Sequence, residues 1–228
     1  FELDRHYDEI QWNNIDSVLF ISEAMERKFH AKGDYKGKTF VTYDNLNFED
    51  FPLIQNEKTM QIGMLGNIEP RKGVLEFVEY FGKMNLPEIK LSIAGKAKDA
   101  TYYGKIKRHI VENNLENKIT IEGYVKDLND WYNSNDCIIS NSVYEGTQTS
   151  IVEGVATGCW AISKDWDGAE EIVDEKGLFT DINELEKCIN LFYKWNDREK
   201  NNNINKAREI LISKLESRPR MHNIILKL

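Results

Sequence analysis

A chain of 228 residues, 41% hydrophobic and 11% aromatic, is long enough to bury one substantial core and too apolar to stay disordered. Its 38 acidic residues outnumber 30 basic ones, and the net charge of −8 argues against a general nucleic-acid-binding surface while leaving room for a few cations around one anionic ligand. No apolar run approaches bilayer length, and Cys137, Cys159 and Cys188 are odd in number without C-x-x-C spacing, which points to cytoplasmic chemistry.

Residues 4–14 are expected to form a short helix and Ser17–Ile21 a strand. Ser22 then supplies the side-chain oxygen that caps a helix running to Phe29. Lys38–Tyr43 reads as a second strand ending in a turn at Asp44–Asn47, and the polar stretch Gln55–Thr59 marks a crossing into a second domain. From Gln61–Leu65 onward strands and helices alternate. Val74, Phe77, Val78 and Phe81 mark one face of a helix that ends before Pro87. Ile89, Leu91 and Ile93 form a strand closing at Gly95, and Tyr103, Ile106 and Ile110 a helix. Ile119 and Ile121 belong to a strand ending at Gly123, Asp127–Ser134 to a short helix, and Cys137–Ile139 and Ala161–Ser163 to two more strands. Such alternation predicts a mostly parallel sheet covered on both faces, an α/β fold. Asp181 and Glu184 cap a helix carrying Ile182, Leu185, Ile189 and Phe192. Asn201–Asn203 reads as a turn ahead of a last long helix through Ile204, Ala207, Leu211 and Leu215. The histidines His6, His30, His109 and His222 are scattered and form no metal or triad pattern.

The stretch from Ser140 to Gly158, S-N-S-V-Y-E-G-T-Q-T-S-I-V-E-G-V-A-T-G, carries the chemistry. A helix opening near Thr147–Thr149, just past the carboxyl end of a strand, turns its free amides toward the place where α/β sheets bind anions. Glu145 stands in the loop before it and Glu153 inside it, and both carboxylates are expected to reach one crevice. Core packing accounts for Ile151 and Val155 but leaves these two glutamates without a task.

This stretch resembles the E-x7-E signature of retaining glycosyltransferases with the GT-B fold, family 4 (glycosyl transferases group 1) in particular. Trp160–Ser163 and Gly168–Ile172 resemble that family's next strand and loop, so the likeness covers about residues 16–175. Gly66–Gly73 resembles the family's G-R-L-x-x-x-K-G loop: Lys72 and Gly73 match, Asn67 stands where the arginine belongs, and Arg71 is the candidate replacement charge.

The resemblance implies the C-terminal, donor-binding half of a GT-B fold: a Rossmann-like sheet with helices on both faces over residues 58–216. A remnant of the acceptor domain would occupy 1–57, and 217–228 would pack back on that N-terminal part. The chain starts at Phe1 and is expected to be an excised piece. The implied reaction moves a sugar, of the hexosyl type, from a nucleoside-diphosphate sugar to a hydroxyl acceptor with retained configuration, in polysaccharide, glycolipid or glycoprotein glycan synthesis. By the same resemblance Glu145 is the catalytic candidate, touching the transferring sugar, and Glu153 binds the ribose. Lys72, Arg71 and the loop and helix amides of Gly146, Thr147, Gln148, Thr149 and Ser150 hold the diphosphate, and Val125 is a candidate contact to the base.

Asp165-Trp166-Asp167 imitates a D-x-D metal motif, but it follows the E-x7-E helix as in metal-independent GT-B enzymes, so no metal or other cofactor is expected. The expected partners are the nucleotide sugar, an unspecified hydroxyl acceptor and no nucleic acid. Peripheral association with the inner face of the membrane would come through an N-terminal domain. The alternatives are a nucleotide-sugar-binding module without turnover and, less favoured, a nucleotide-sugar epimerase of related fold.

Overall fold

The computed structural model describes residues 7–42, 46–53 and 59–225. Its first unit is small. Strands β1 (Ser17–Phe20) and β2 (Lys38–Val41) pair in parallel, joined by helix α1 (Glu23–Lys32). The Ser22 hydroxyl accepts from Met25 N at 3.2 Å and caps α1. Phe29 from α1 is fully buried against Tyr7, Trp12, Phe20 and Tyr35, with ring centroids 4.8–5.5 Å apart. This aromatic cluster is a core of its own. The described part of 4–14, expected as a helix, forms two single 3-10 turns, Tyr7–Glu9 and Trp12–Asn14. Tyr7 and Trp12 both turn in to this cluster, which fixes the chain locally more strongly than helix propensity does.

The second unit is a six-stranded parallel sheet in the order β5-β4-β3-β6-β7-β8. Its strands are β3 (Gln61–Leu65), β4 (Lys90–Ala94), β5 (Ile119–Gly123), β6 (Cys137–Ser140), β7 (Trp160–Lys164) and β8 (Leu178–Phe179). Helices α2 (Val74–Lys83), α3 (Ala100–Glu112), α4 (Leu128–Asn133), α5 (Thr149–Thr157) and α6 (Ile182–Lys194) connect or follow them. Successive strand residues point to opposite faces. Ile62, Leu91, Ile93, Ile139 and Ile162 enter one core with Phe77, Phe81, Ile106 and Phe192. Ile138 and Ala161 enter the other with Trp131, Tyr132, Ile151 and Val155. Each large apolar side chain so buried contributes about 1.5–3 kcal/mol, which is why both faces are covered.

The sequence reading placed five of these strands and missed β8, whose two residues pair with Ser163 and Lys164 and are too short to show a period. The expected turn at Asn201–Asn203 is contradicted. Those residues lie inside helix α7 (Asp197–Glu216), opened by a reciprocal capping box between Asn196 and Glu199. Asn203 Nδ2 donates to Glu199 O within the helix, and Leu211 is buried against the sheet's second core. Tertiary packing outweighs the poor helix propensity of three asparagines.

A last short helix, α8 (Met221–Ile225), follows, and Arg218 pairs with Glu23 of α1. Tyr43 to Asn45, residues 54–58 around the expected domain crossing, and residues 226–228 lie outside the described residues.

Candidate functional site

In this strand order β3 and β6 are central neighbours whose connections run to opposite sides: β3 leads to β4, and β6 to β7. The loops leaving their carboxyl ends diverge, which opens a crevice at that point. Gly66–Gly73 forms one wall and Asn141–Gln148 the other. Among the bonds that tie them, Val143 N donates to Arg71 O at 3.0 Å, and Asn141 Nδ2 to Gly73 O at 2.8 Å. Gly73, at φ 60°, abuts the Asn141 backbone, and a Cβ there would collide with it.

Arg71 and Lys72 sit in a 3-10 turn, Pro70–Lys72, just before α2. Both reach across the crevice to Glu145. Lys72 Nζ meets Glu145 Oε1 at 2.5 Å, and an Arg71 nitrogen meets Oε2 at 2.9 Å. Arg71 also contacts Glu69 at 3.1 Å and lies over the Tyr144 ring, 5.5 Å from its centroid. Burial works against the Arg71 charge, but Glu145 and Glu69 outweigh it and its pKa is raised. The Glu145 side chain is only 9% exposed, so this carboxylate is largely withdrawn from water into two cationic contacts.

Helix α5 opens beside this cluster. Gln148 is its N-cap residue but makes no side-chain cap bond, and among the described residues no bond is seen to the first-turn amides of Thr149 and Ser150. A narrow cleft next to them is lined by Gly66, Asn67, Lys72, Ser142 and Gln148. Gln148 Oε1 and Ser142 Oγ are buried there without a hydrogen-bond partner among the described residues. Buried polar atoms of this kind are normally satisfied, and these two mark a place where a polar ligand would complete the bonding. Ser142 escaped the sequence reading, and its only signal was the polar S-N-S run directly after a buried strand.

Glu153, in the second turn of α5, behaves differently from Glu145. Its Oε2 accepts from the Tyr132 hydroxyl at 2.7 Å, and no cation faces it among the described residues. Burial raises its pKa, opposed by the Tyr132 hydrogen bond. No described contact joins it to Glu145.

The remaining expected residues divide. Thr147 Oγ1 donates to Ile21 O at 2.6 Å, and Gly146 packs under Ile21 and Met25, so this part of the loop is pinned by the first unit. Val125 packs inward on the second core, while its neighbour Tyr124 is 66% exposed with Lys96 Nζ 4.7 Å from its ring centroid. Of the D-x-D pair, Asp167 meets Lys28 at 2.8 Å. Glu171, which the sequence reading left without a role, accepts from Glu23 N and Ala24 N at 3.0 and 2.7 Å and so caps α1 from the second unit.

A sequence profile described as glycosyl transferases group 1 matches residues 59–193, more than half the chain and the whole span of both crevice walls. The chain belongs to that family. It is 26% identical over 183 residues to the poly(glycerol-phosphate) alpha-glucosyltransferase of Bacillus subtilis, covering 77% of this chain and 27% of that protein. The fold is similar to that of S. aureus TarM, crystallised in complex with Fondaparinux, alpha-GlcNAc-glycerol and UDP (TM-score 0.80, 21% identity). That match covers all of this chain and 46% of TarM. It is also similar to Anabaena HepE, crystallised in complex with UDP and glucose (TM-score 0.76, 18% identity), over 97% of this chain and 67% of HepE. The chain thus spans about a quarter of the curated relative and about half of TarM. The expected Rossmann-like half of a GT-B fold is present.

Proposed function

We propose that this chain is the nucleotide-sugar-binding part of a retaining glycosyltransferase, which moves a hexosyl unit from a nucleoside-diphosphate sugar to a hydroxyl acceptor. The observation that carries the reading is the convergence of Lys72, Arg71 and the uncapped start of α5 on one crevice. Two cations and a helix N-terminus suit a diphosphate, whose charge grows as it leaves. They supply positive charge from the chain's own groups, so binding is expected without a divalent metal. Among the described residues Glu153 has no cationic partner, and its bonding to Tyr132 engages one carboxylate oxygen, the chemistry of a group that accepts from ribose hydroxyls. Glu145 is assigned to the hydroxyls of the transferring sugar, once the diphosphate has taken over its cations. The UDP in the TarM and HepE crystals supports a uridine donor as the first to try.

Transfer also requires the acceptor to be held in near-attack geometry across the crevice. The first unit already leans on the loop at Gly146 and Thr147, and Arg218 pairs with Glu23 of α1. In the whole protein an acceptor domain would complete the cleft above this point, with any approach to the membrane face made from that side. Among the described residues no helix is long and apolar enough to cross a membrane.

The test is calorimetric titration with UDP-, GDP- and ADP-sugars, with and without chelator, followed by a transfer assay on the full-length protein. Binding that persists in EDTA and turnover by the full-length protein are expected. Binding that vanishes in EDTA and returns with manganese would overturn the metal-free reading. Binding without turnover in the full-length protein would favour a non-catalytic module, the reading suggested by Asn67, a neutral residue lining the cleft beside Lys72.

A further inference from the structure

The side chain of Glu153 has three rotatable bonds, and a carboxylate that must meet a ribose has to be held still. Tyr132 supplies a device for this. Tyr132, near the end of α4, is fully buried, with its ring edge-on to Trp131 and Phe51 at 5.3 and 6.4 Å between centroids. Its backbone carbonyl accepts from Cys159 Sγ at 3.3 Å, so the residue is held by main chain and ring alike. Its hydroxyl lies 2.7 Å from Glu153 Oε2 and 3.2 Å from Ser150 O. A phenol has a single proton to give, and the nearer, charged oxygen is the stronger acceptor. Burial, with the Glu153 charge adding to it, pushes the Tyr132 pKa far up, so the group remains a donor.

We propose that Tyr132 is a positioning residue for nucleotide recognition, its buried hydroxyl fixing one oxygen of Glu153 so that the other is presented to the ribose. The inference rests on the assignment of Glu153 to the ribose made above. Tyr132 touches no ligand itself. It acts by orienting the carboxylate and by favouring its ionised form, the stronger acceptor for the ribose hydroxyls. Nothing in the local sequence announces this pairing, because the two residues lie on different helices, 21 positions apart.

The test uses the intact chain and whichever of UDP, GDP and ADP binds it most tightly, together with the 2′,3′-dideoxy form of that nucleotide. Tyr132→Phe keeps the ring and removes the hydroxyl. It should weaken binding of the ribonucleotide about three- to tenfold, as expected for one lost hydrogen bond. It should leave the dideoxynucleotide unaffected and add nothing in a Glu153→Gln background. Glu153→Asp, which keeps the charge but cannot span to Tyr132, should show the same ribose-dependent loss. Wild-type ribonucleotide affinity in either Tyr132→Phe or Glu153→Asp would overturn the positioning role, and so would equal weakening of both nucleotides. A Glu153→Gln variant that binds the ribonucleotide normally would instead overturn the ribose assignment, and the role of Tyr132 with it.

Discussion

Glu145→Gln should tighten the binding of a free nucleoside diphosphate while weakening that of the sugar-bearing donor. Both Glu145 oxygens are engaged, one by Lys72 at 2.5 Å and one by Arg71 at 2.9 Å. A diphosphate that needs the same two cations must displace a carboxylate already in contact with them. A hydrogen bond to a charged group contributes about 1.5–3 kcal/mol net of its competition with water. Arg71 is 31% exposed and keeps Glu69 as a second partner, so its share is discounted, leaving the Lys72 contact dominant. Glutamine keeps a neutral acceptor in place, so the net release is about 1 kcal/mol, or roughly fivefold tighter binding. Calorimetric titration with UDP and with inorganic pyrophosphate, at one fixed ionic strength because these contacts are screened by salt, measures it. The nucleotide sugar should move the other way, because its hydroxyls lose a charged acceptor. Weaker or unchanged binding of both UDP and pyrophosphate would refute the idea that Glu145 and the ligand compete for the same cations.

Other consequences follow from single contacts. Burial raises the Glu153 pKa, so the folded chain holds that proton more tightly than the unfolded chain does. Its contribution to stability therefore falls as pH rises from the ordinary carboxylate value through the raised one, while nucleotide affinity, which needs the ionised acceptor, rises over the same window. Urea denaturation across that range should show a slope that Glu153→Gln removes. Glu171→Gln takes the charge from a carboxylate that caps α1 from the second unit, and should cost about 1–2 kcal/mol in the same assay. Gly95 has φ 142° and lies against the Gly66 backbone, so Gly95→Ala should destabilise the fold by about 2–4 kcal/mol, and an unchanged Tm would contradict the packing described.

Much of the architecture was readable from period alone. Val74, Phe77, Val78 and Phe81 lie on the buried stripe of α2, and the strand triplets around Leu91 and Ile138 occupy the sheet's interior. The reading failed where local preference and tertiary packing disagree. Asn201–Asn203 have turn-like composition, yet a capping box ahead of them and Leu211 behind hold them in α7. The site was partly legible. Lys72, Arg71 and Glu145 stood out as charges in loops after strands, but their direct pairing required the β3–β6 adjacency that only the fold supplies. Ser142 and Glu171 lie within stretches that resemble the family but, like Tyr132, have no residue-level signature of their own. Their significance comes from partners far along the chain, or from the lack of one, and such long-range satisfaction leaves no trace in spacing.

The central claim is that the crevice between the loops after β3 and β6 holds a nucleoside diphosphate. Hydrogen–deuterium exchange of the intact chain with and without UDP tests it without any substitution. The account predicts slowed exchange in residues 66–73 and 146–153, with the α6 surface around Lys187 unchanged. UDP binding that leaves both crevice segments unprotected, or that protects the α6 surface instead, would contradict it.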